Sequence, residues 1–220
     1  MSRNARIIGL ACIVLLTTTL ACGSFGSGSG SSGSSTGGDA LFEDDFGDTG
    51  SGWEVGDYER GSVGYKNGAY SVISLGAGDT MWGIANRSFG DVDISVSATQ
   101  VTAGPTDNND YGIGCRMQSD GSGYYLLISG DGGYAILKGW EGGYDALVDW
   151  TATDVVRQGN ATNELRAVCS GSTITLYANG RQLATAQDST FSTGDVALTA
   201  TSYENAPTEV QFDNLVVTKP

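Results

Sequence analysis

The sequence predicts an all-β domain of two packed antiparallel sheets, and three observations carry that reading. Glycine is abundant, at 34 of 220 residues, while proline is scarce at three. Short runs of alternating apolar residues are separated by Gly, Asn, Asp and Ser turns, the pattern of strands joined by tight connections. The stretch Asp110–Trp140 reads DYGIGCRMQS, DGSGYYLLIS and GDGGYAILKGW, a three-stranded antiparallel meander. In its first run Tyr111, Ile113, Cys115 and Met117 are expected on one face, with Gly112, Gly114 and Arg116 on the other. In its second, Tyr124, Leu126 and Ile128 alternate against Tyr125, Leu127 and Ser129. A sheet with one apolar face has to cover it, so a second layer is required.

The remaining elements follow in order. Leu41–Phe46 opens the domain and Trp53–Val55 is a short strand. Ser62–Lys66 and Ala69–Ser74 flank Asn67-Gly68, a strong hairpin signal. Met81–Ala85 is another short strand. Asp91–Thr102 alternates cleanly, with Val92, Ile94, Val96 and Ala98 inward. Ala103–Asn109 contains Gly104-Pro105 and Asn108-Asn109 and reads as loop. Trp140–Asn163 is the least regular region, with a strand expected at Tyr144–Asp149. Glu164–Ser170 and Thr173–Ala178 resume the alternation, Asn179-Gly180 turns the chain into Gln182–Ala186, and Asp195–Thr201 and Glu209–Thr218 close the domain. That makes about thirteen short strands, too many for one open sheet.

Composition narrows the function classes. The formal charge of −14 becomes −16 once Arg3 and Arg6 leave with the leader described below, because all 25 acids lie downstream of them. Such an acidic surface repels phosphate backbones, so nucleic acid is excluded as a partner. The chain has no His, which removes Ser-His-Asp and Cys-His catalysis and His-ligated zinc. Cys115 and Cys169 both fall on inward faces by their own alternation. In an exported protein they are expected to form a disulfide across the core, closing a loop of about 53 residues for about 4 kcal/mol.

The N-terminus reads as an address. Arg3 and Arg6 precede an apolar run from Ile7 to Leu20, too short to span a membrane comfortably. Thr19-Leu20-Ala21-Cys22 resembles a bacterial lipobox, which implies cleavage before Cys22 and lipid on that residue. The expected organisation is a lipoprotein signal peptide at 1–21, a lipidated Cys22 with a Gly/Ser tether over 22–38, and a sandwich domain over 39–220. The tether, GSFGSGSGSSGSSTGG, cannot bury enough apolar surface to fold. The expected location is outside the cell, lipid-anchored to a bacterial membrane.

The motif order FEDDF, GSVGYKNGAYSV, SATQV, YGIGCR, YYLLIS, NELRAVC, ITLYANG and VQFDNLVV resembles the concanavalin A-like lectin/glucanase superfamily, the laminin-G-like jelly rolls of bacterial exported lipoproteins. The resemblance covers Leu41–Lys219. It implies an all-β, two-sheet antiparallel jelly-roll sandwich, with ligands often taken on the concave face. More distantly the chain resembles the 3-keto-disaccharide hydrolase family, although it reads DYGIGCR where those enzymes carry Asn-Ser-Gly-Ile.

Three chemistries have candidate residues. Aromatics cluster in the middle of the chain, and sugar rings stack on exposed aromatics. Trp82, Arg116, Tyr125, Lys138 and Trp140 are expected to line one ligand groove, with Arg116 and Tyr125 facing out of neighbouring strands. Asp44, Asp45 and Asp213 lie on the first and last strands, often neighbours in jelly rolls, where carboxylates could hold a structural Ca²⁺. Glycoside hydrolysis needs two acids flanking one bond. Glu141 with Asp145 or Asp149 is a pair for that role, but the Glu-x-Asp-x-x-Glu strand motif of one large glucanase group is absent. The expectation is therefore a non-catalytic binding domain for carbohydrate or another extracellular ligand. The alternatives are a glycoside hydrolase and a structural or protein-interaction module of the cell envelope.

Overall fold

A computed structural model describes residues 40–220; Cys22 and the expected signal segment and tether lie outside the described residues. Fifteen strands follow one another without a helix: β1 (Ala40–Asp44), β2 (Gly56–Tyr58), β3 (Gly61–Lys66), β4 (Ala69–Ser74), β5 (Asp79–Phe89), β6 (Val92–Thr102), β7 (Asn109–Met117), β8 (Gly123–Ser129), β9 (Gly133–Trp140), β10 (Gly143–Ala152), β11 (Thr162–Ser170), β12 (Thr173–Ala178), β13 (Arg181–Gln187), β14 (Gly194–Ser202) and β15 (Thr208–Thr218). They form two antiparallel sheets. One has the order β13-β12-β11-β6-β15-β4-β3-β2 with β1 added on β15; the other runs β10-β9-β8-β7-β14-β5. The fold is the two-sheet jelly-roll sandwich of the concanavalin A-like type. The Asp110–Trp140 meander is there as β7-β8-β9, and the first and last strands are neighbours, with Asp44 opposite Leu215.

The core lies between the sheets, where alternation put it. Ile94, Val96 and Ala98 of β6 meet Tyr111, Ile113 and Cys115 of β7, Tyr124, Leu126 and Ile128 of β8 and Leu198 of β14. Cys115 and Cys169 are joined as a disulfide between β7 and β11, one from each sheet. Trp53 is buried as well, but Trp53–Val55 is not a strand. Its indole packs against Phe46 and Tyr70, with ring centroids 5.4 and 4.9 Å apart. An aromatic plug at the sandwich edge, not a ladder, fixes this stretch.

All nine residues of β7 and all seven of β8 are buried, which one core alone cannot produce. A second apolar cluster sits on the outer face of the six-stranded sheet. Met117, Tyr125, Leu127 and Ala197 form it, with Trp82, Ile84 and Leu137 packed on them. Met117 was expected inward, beside Cys115. It lies outward because the β7–β14 pairing skips a residue between Asp195 and Ala197, opposite Gly114–Met117. Arg116 takes up the extra length at φ 54°, a left-handed conformation typical of a bulge, and every side chain beyond it changes face.

Candidate functional site

The same bulge corrects the expectation for Arg116. Its side chain does not face out with Tyr125 but is fully buried. The guanidinium donates to the carbonyls of Gly171 and Phe191 at 2.8 and 2.9 Å, to that of Gly90 at 3.4 Å, and to the Asp91 carboxylate at 2.8 Å. It thus ties three connections together: β5–β6, β11–β12 and β13–β14. Lys138 is also turned from the groove. It pairs with Tyr124 across β8–β9, on the core face, and its ammonium reaches Asp188 at 3.1 Å. The Tyr124 hydroxyl and the Thr190 N–H donate to the other Asp188 oxygen at 2.6 and 2.8 Å. Burial opposes ionisation of Asp188, but these donors outweigh it and hold the carboxyl well below the ordinary range. Both cations expected in a ligand groove are interior clamps.

The other three residues do come together. Trp82, Tyr125 and Trp140 line one small cavity of about 220 Å³ with Asp120, Gly121, Glu141 and Tyr144. Tyr125 lies on the outer face, as alternation predicts, but its ring is covered. Tyr144 packs on it edge-on with centroids 5.2 Å apart, and the Tyr125 hydroxyl donates to the Gly121 carbonyl at 2.6 Å. Burial, then the neighbouring Tyr144, push the Tyr125 phenol above its usual range. Trp140 and Tyr144 supply the exposed rings.

Two further cavities flank this one. The larger, about 650 Å³, runs along the β5 edge and is lined by Trp82, Thr80 and Ile84 on one side and by Glu54, Tyr58, Glu59 and Arg60 on the other. Trp82 is common to both. The third, about 300 Å³, lies at the opposite end of β8 and β9, between Trp150 and Tyr203, over Asn108, Asn109, Ser129 and Asp131. Tyr58, Trp140, Tyr144, Trp150 and Tyr203 are between 44% and 50% exposed. All five exposed aromatic side chains among the described residues therefore border these three cavities.

Glycine pairs build the platform. Gly132 and Gly142 each turn the chain at φ 98°, which L side chains avoid. Their partners seat rings. A Cβ at Gly143 would stand 3.2 Å from the Trp140 ring, and one at Gly133 would stand 3.4 Å from that of Trp150. Gly139 does the same for Tyr125, where a Cβ would come within 2.6 Å. So each pair combines a turn with a ring seat.

Tyr203 is the residue sequence reasoning missed. It sits outside any periodic run, in the β14–β15 connection, and only the fold brings it over β7. Its hydroxyl donates to Asp110 Oδ2 at 2.6 Å. Asp110 is fully buried and its other oxygen has no hydrogen-bond partner. Burial raises its carboxyl to about 6, against the lowering effect of the Tyr203 hydrogen bond. In the sequence Asp110 closes the polar segment Asp107-Asn108-Asn109-Asp110, a run of oxygen-bearing side chains.

The acids named for calcium each cap a local turn. Asp44 accepts the Phe46 N–H at 2.8 Å and the Ser51 hydroxyl, Asp45 accepts the Gly47 N–H at 3.0 Å, and Asp213 accepts the Asn214 N–H at 2.7 Å. Among the described residues no group of three His, Cys, Asp or Glu side chains converges as a metal site.

No protein-family model matches the sequence, and no curated protein matches it. Solved structures do resemble the fold. The carbohydrate-binding module CBM66 from Bacillus subtilis superposes with a TM-score of 0.55 at 18% identity, over 77% of this chain and 96% of that one. The Bacillus licheniformis β-glucanase gives 0.61 at 13%, over 84% and 100%. A Bacillus subtilis protein of unknown function with a galectin-like fold gives 0.61 at 10%, over 83% and 97%.

Proposed function

We propose that the outer face of the six-stranded sheet binds carbohydrate without transforming it, in a domain held outside the cell by lipid on Cys22. One observation carries the binding reading: the exposed aromatics gather around three cavities on and beside the outer face of the six-stranded sheet, one of them walled on its far side by Glu54, Tyr58, Glu59 and Arg60 around β2 of the other sheet, and bordered by carboxylates, amides and hydroxyls. Aromatic rings take the C–H faces of sugars and adjacent polar groups fix their orientation. The fold likeness to a carbohydrate-binding module and a β-glucanase supports the same reading.

The test is a glycan-array screen of the full chain, with calcium and with chelator. Saturable binding that falls at least tenfold in Trp150→Ala, Tyr203→Ala or Trp140→Ala supports the proposal. A folded protein that binds no glycan sinks it and favours an envelope interaction module. Binding lost only with chelator would restore a role for calcium. The anchor is tested separately by metabolic labelling with an alkyne fatty acid, expected on the wild type and lost in Cys22→Ser.

A second reading has one specific observation behind it. Asp120 and Glu141 line the same cavity as Trp82 and Trp140, and a hydrolase needs two acids about one bond. The Ser122 backbone N–H holds the Asp120 carboxyl below its ordinary range. Release of reducing ends from bound glycans, abolished by Glu141→Gln, would establish hydrolysis.

A further inference from the structure

The charges around the three cavities carry an inference about what kind of glycan fits. Six carboxylates line them: Glu54, Glu59 and Asp79 along the β5 edge, Asp120 and Glu141 in the middle, and Asp131 at the far end. Arg60 is the one cation among those lining residues, and it is already paired with Asp79. The two cations that sequence alternation placed here, Arg116 and Lys138, are committed to Asp91 and Asp188 between the sheets. Lys66 and Arg166 pair with Glu209 and Asp93 on the nine-stranded sheet. A uronate, sulfate or sialate group entering any of the three cavities would thus meet carboxylates and no free counter-charge. Charges closer than a Debye length, about 8 Å at physiological salt, repel with little screening.

We propose that this face selects neutral glycan chains and rejects acidic ones. The ligand is a chain, not a single sugar, because Trp82 is shared by two adjoining cavities and the third lies on the same sheet face. Aromatic stacking provides adhesion that is indifferent to charge, while the acids act as the discriminating element. This rests on the carbohydrate reading above, and the experiment separates the two.

The full chain is titrated by calorimetry against polysaccharides that differ only in charge. These are polygalacturonate, alginate and hyaluronan, each beside its carboxyl-reduced form, with neutral mixed-linkage β-glucan and inulin as additional probes. The expected result is binding to at least one neutral polymer, with its acidic counterpart at least tenfold weaker. Raising the salt from about 20 mM to 500 mM should narrow that gap by screening and leave the neutral polymer unaffected. Glu141→Lys and Asp131→Lys, both at exposed turns, should raise affinity for the acidic form. Equal or tighter binding of an acidic polymer would overturn the charge selection while leaving the carbohydrate reading intact. Binding to none of the polymers by a folded protein would overturn both.

Discussion

The two sheets turn outward faces of opposite character to solvent. On the nine-stranded sheet the exposed side chains satisfy one another across strands. Thr99 and Thr162 share a hydrogen bond of 2.7 Å, Ser97 donates to Glu164 at 2.8 Å, and Arg166 pairs with Asp93 while covering the Tyr177 ring at 4.7 Å. That face is closed on itself. On the six-stranded sheet the central positions are Gly112, Gly114 and Ala197, the bulky groups are aromatic and aliphatic, and buried polar atoms on Asp110 and Thr199 lack partners. Each face is built from period-2 strands of the same sandwich. What separates them is whether polar capacity is spent internally, and only the second face has some left to offer.

The comparison is only meaningful if the sheets form one body, and the largest expected effect tests that. Replacing Cys115 and Cys169 together by Ala removes the only covalent tie between β7 and β11 among the described residues. A loss of about 4 kcal/mol in urea unfolding is expected, with both faces lost in a single transition. Separate transitions for tryptophan fluorescence and far-UV circular dichroism would show that the sheets unfold independently.

Arg116→Ala comes next, at about 3 kcal/mol. The Gly171 and Phe191 carbonyls lose a buried donor, and Asp91 loses its partner. Asp91 is half exposed, which keeps the cost below that of a wholly buried broken pair. Glycan affinity below the melting transition should not change, because Arg116 lies between the sheets. A variant of normal stability and lost binding would return Arg116 to the groove.

Gly139→Val probes the ring seats directly. Its Cβ would press on the Tyr125 ring at 2.6 Å, so about 2 kcal/mol of overpacking is expected, together with weaker glycan binding through displaced Tyr144. Stability and affinity both unchanged would mean that the rings are not held by these glycines.

These variants also show what was legible in the sequence. Alternation placed β6, the β7–β9 meander, the disulfide and the outward course of Tyr125 correctly, because a half-buried strand has to repeat with period 2. It failed at Arg116 and Met117, since one residue in a left-handed conformation shifts the register at the end of β7 and leaves no mark in hydropathy. Lys138 failed for another reason: a Lys in an apolar strand was read as facing solvent, when its partner Asp188 comes from a distant turn. Tyr203 could not be assigned, because its place depends on where the β14–β15 connection crosses β7. The sequence does not decide whether the Gly132-Gly133 and Gly142-Gly143 pairs mark tight turns or the close approach of a ligand; the fold shows turns whose second glycines seat rings.

Asp110 offers a pH test of the six-stranded face. Its carboxyl titrates near 6 in the fold, above the ordinary 3.9 of an unfolded Asp. The native state therefore holds a proton that the unfolded chain has lost between those values. Stability from this group is fully present below about pH 4 and is lost as pH rises through 6. Asp110→Asn should remove that slope. At pH 8 it should be more stable than wild type by about 1–2 kcal/mol, less than the full shift because its amide N–H would lack an acceptor. At pH 4, where that gain is absent, the unpaired donor should leave the variant less stable than wild type by about 1 kcal/mol. Parallel wild-type and variant curves from pH 4 to 8 would show that Asp110 is already ionised in the fold at low pH.

The smallest effect closes the comparison from the other side. Thr99→Val deletes one hydroxyl of the Thr99–Thr162 pair on the nine-stranded face. Thr162 keeps access to water there, and Val suits a strand at least as well as Thr. Unfolding free energy should therefore move by less than about 0.5 kcal/mol in either direction. Glycan affinity should not move at all, since Thr99 borders none of the three aromatic cavities. A Thr99→Val variant that folds normally but loses binding would place a ligand on the polar sheet. The self-satisfied ladders of that face would then have to open to receive it, and the contrast between the two faces would no longer locate the site.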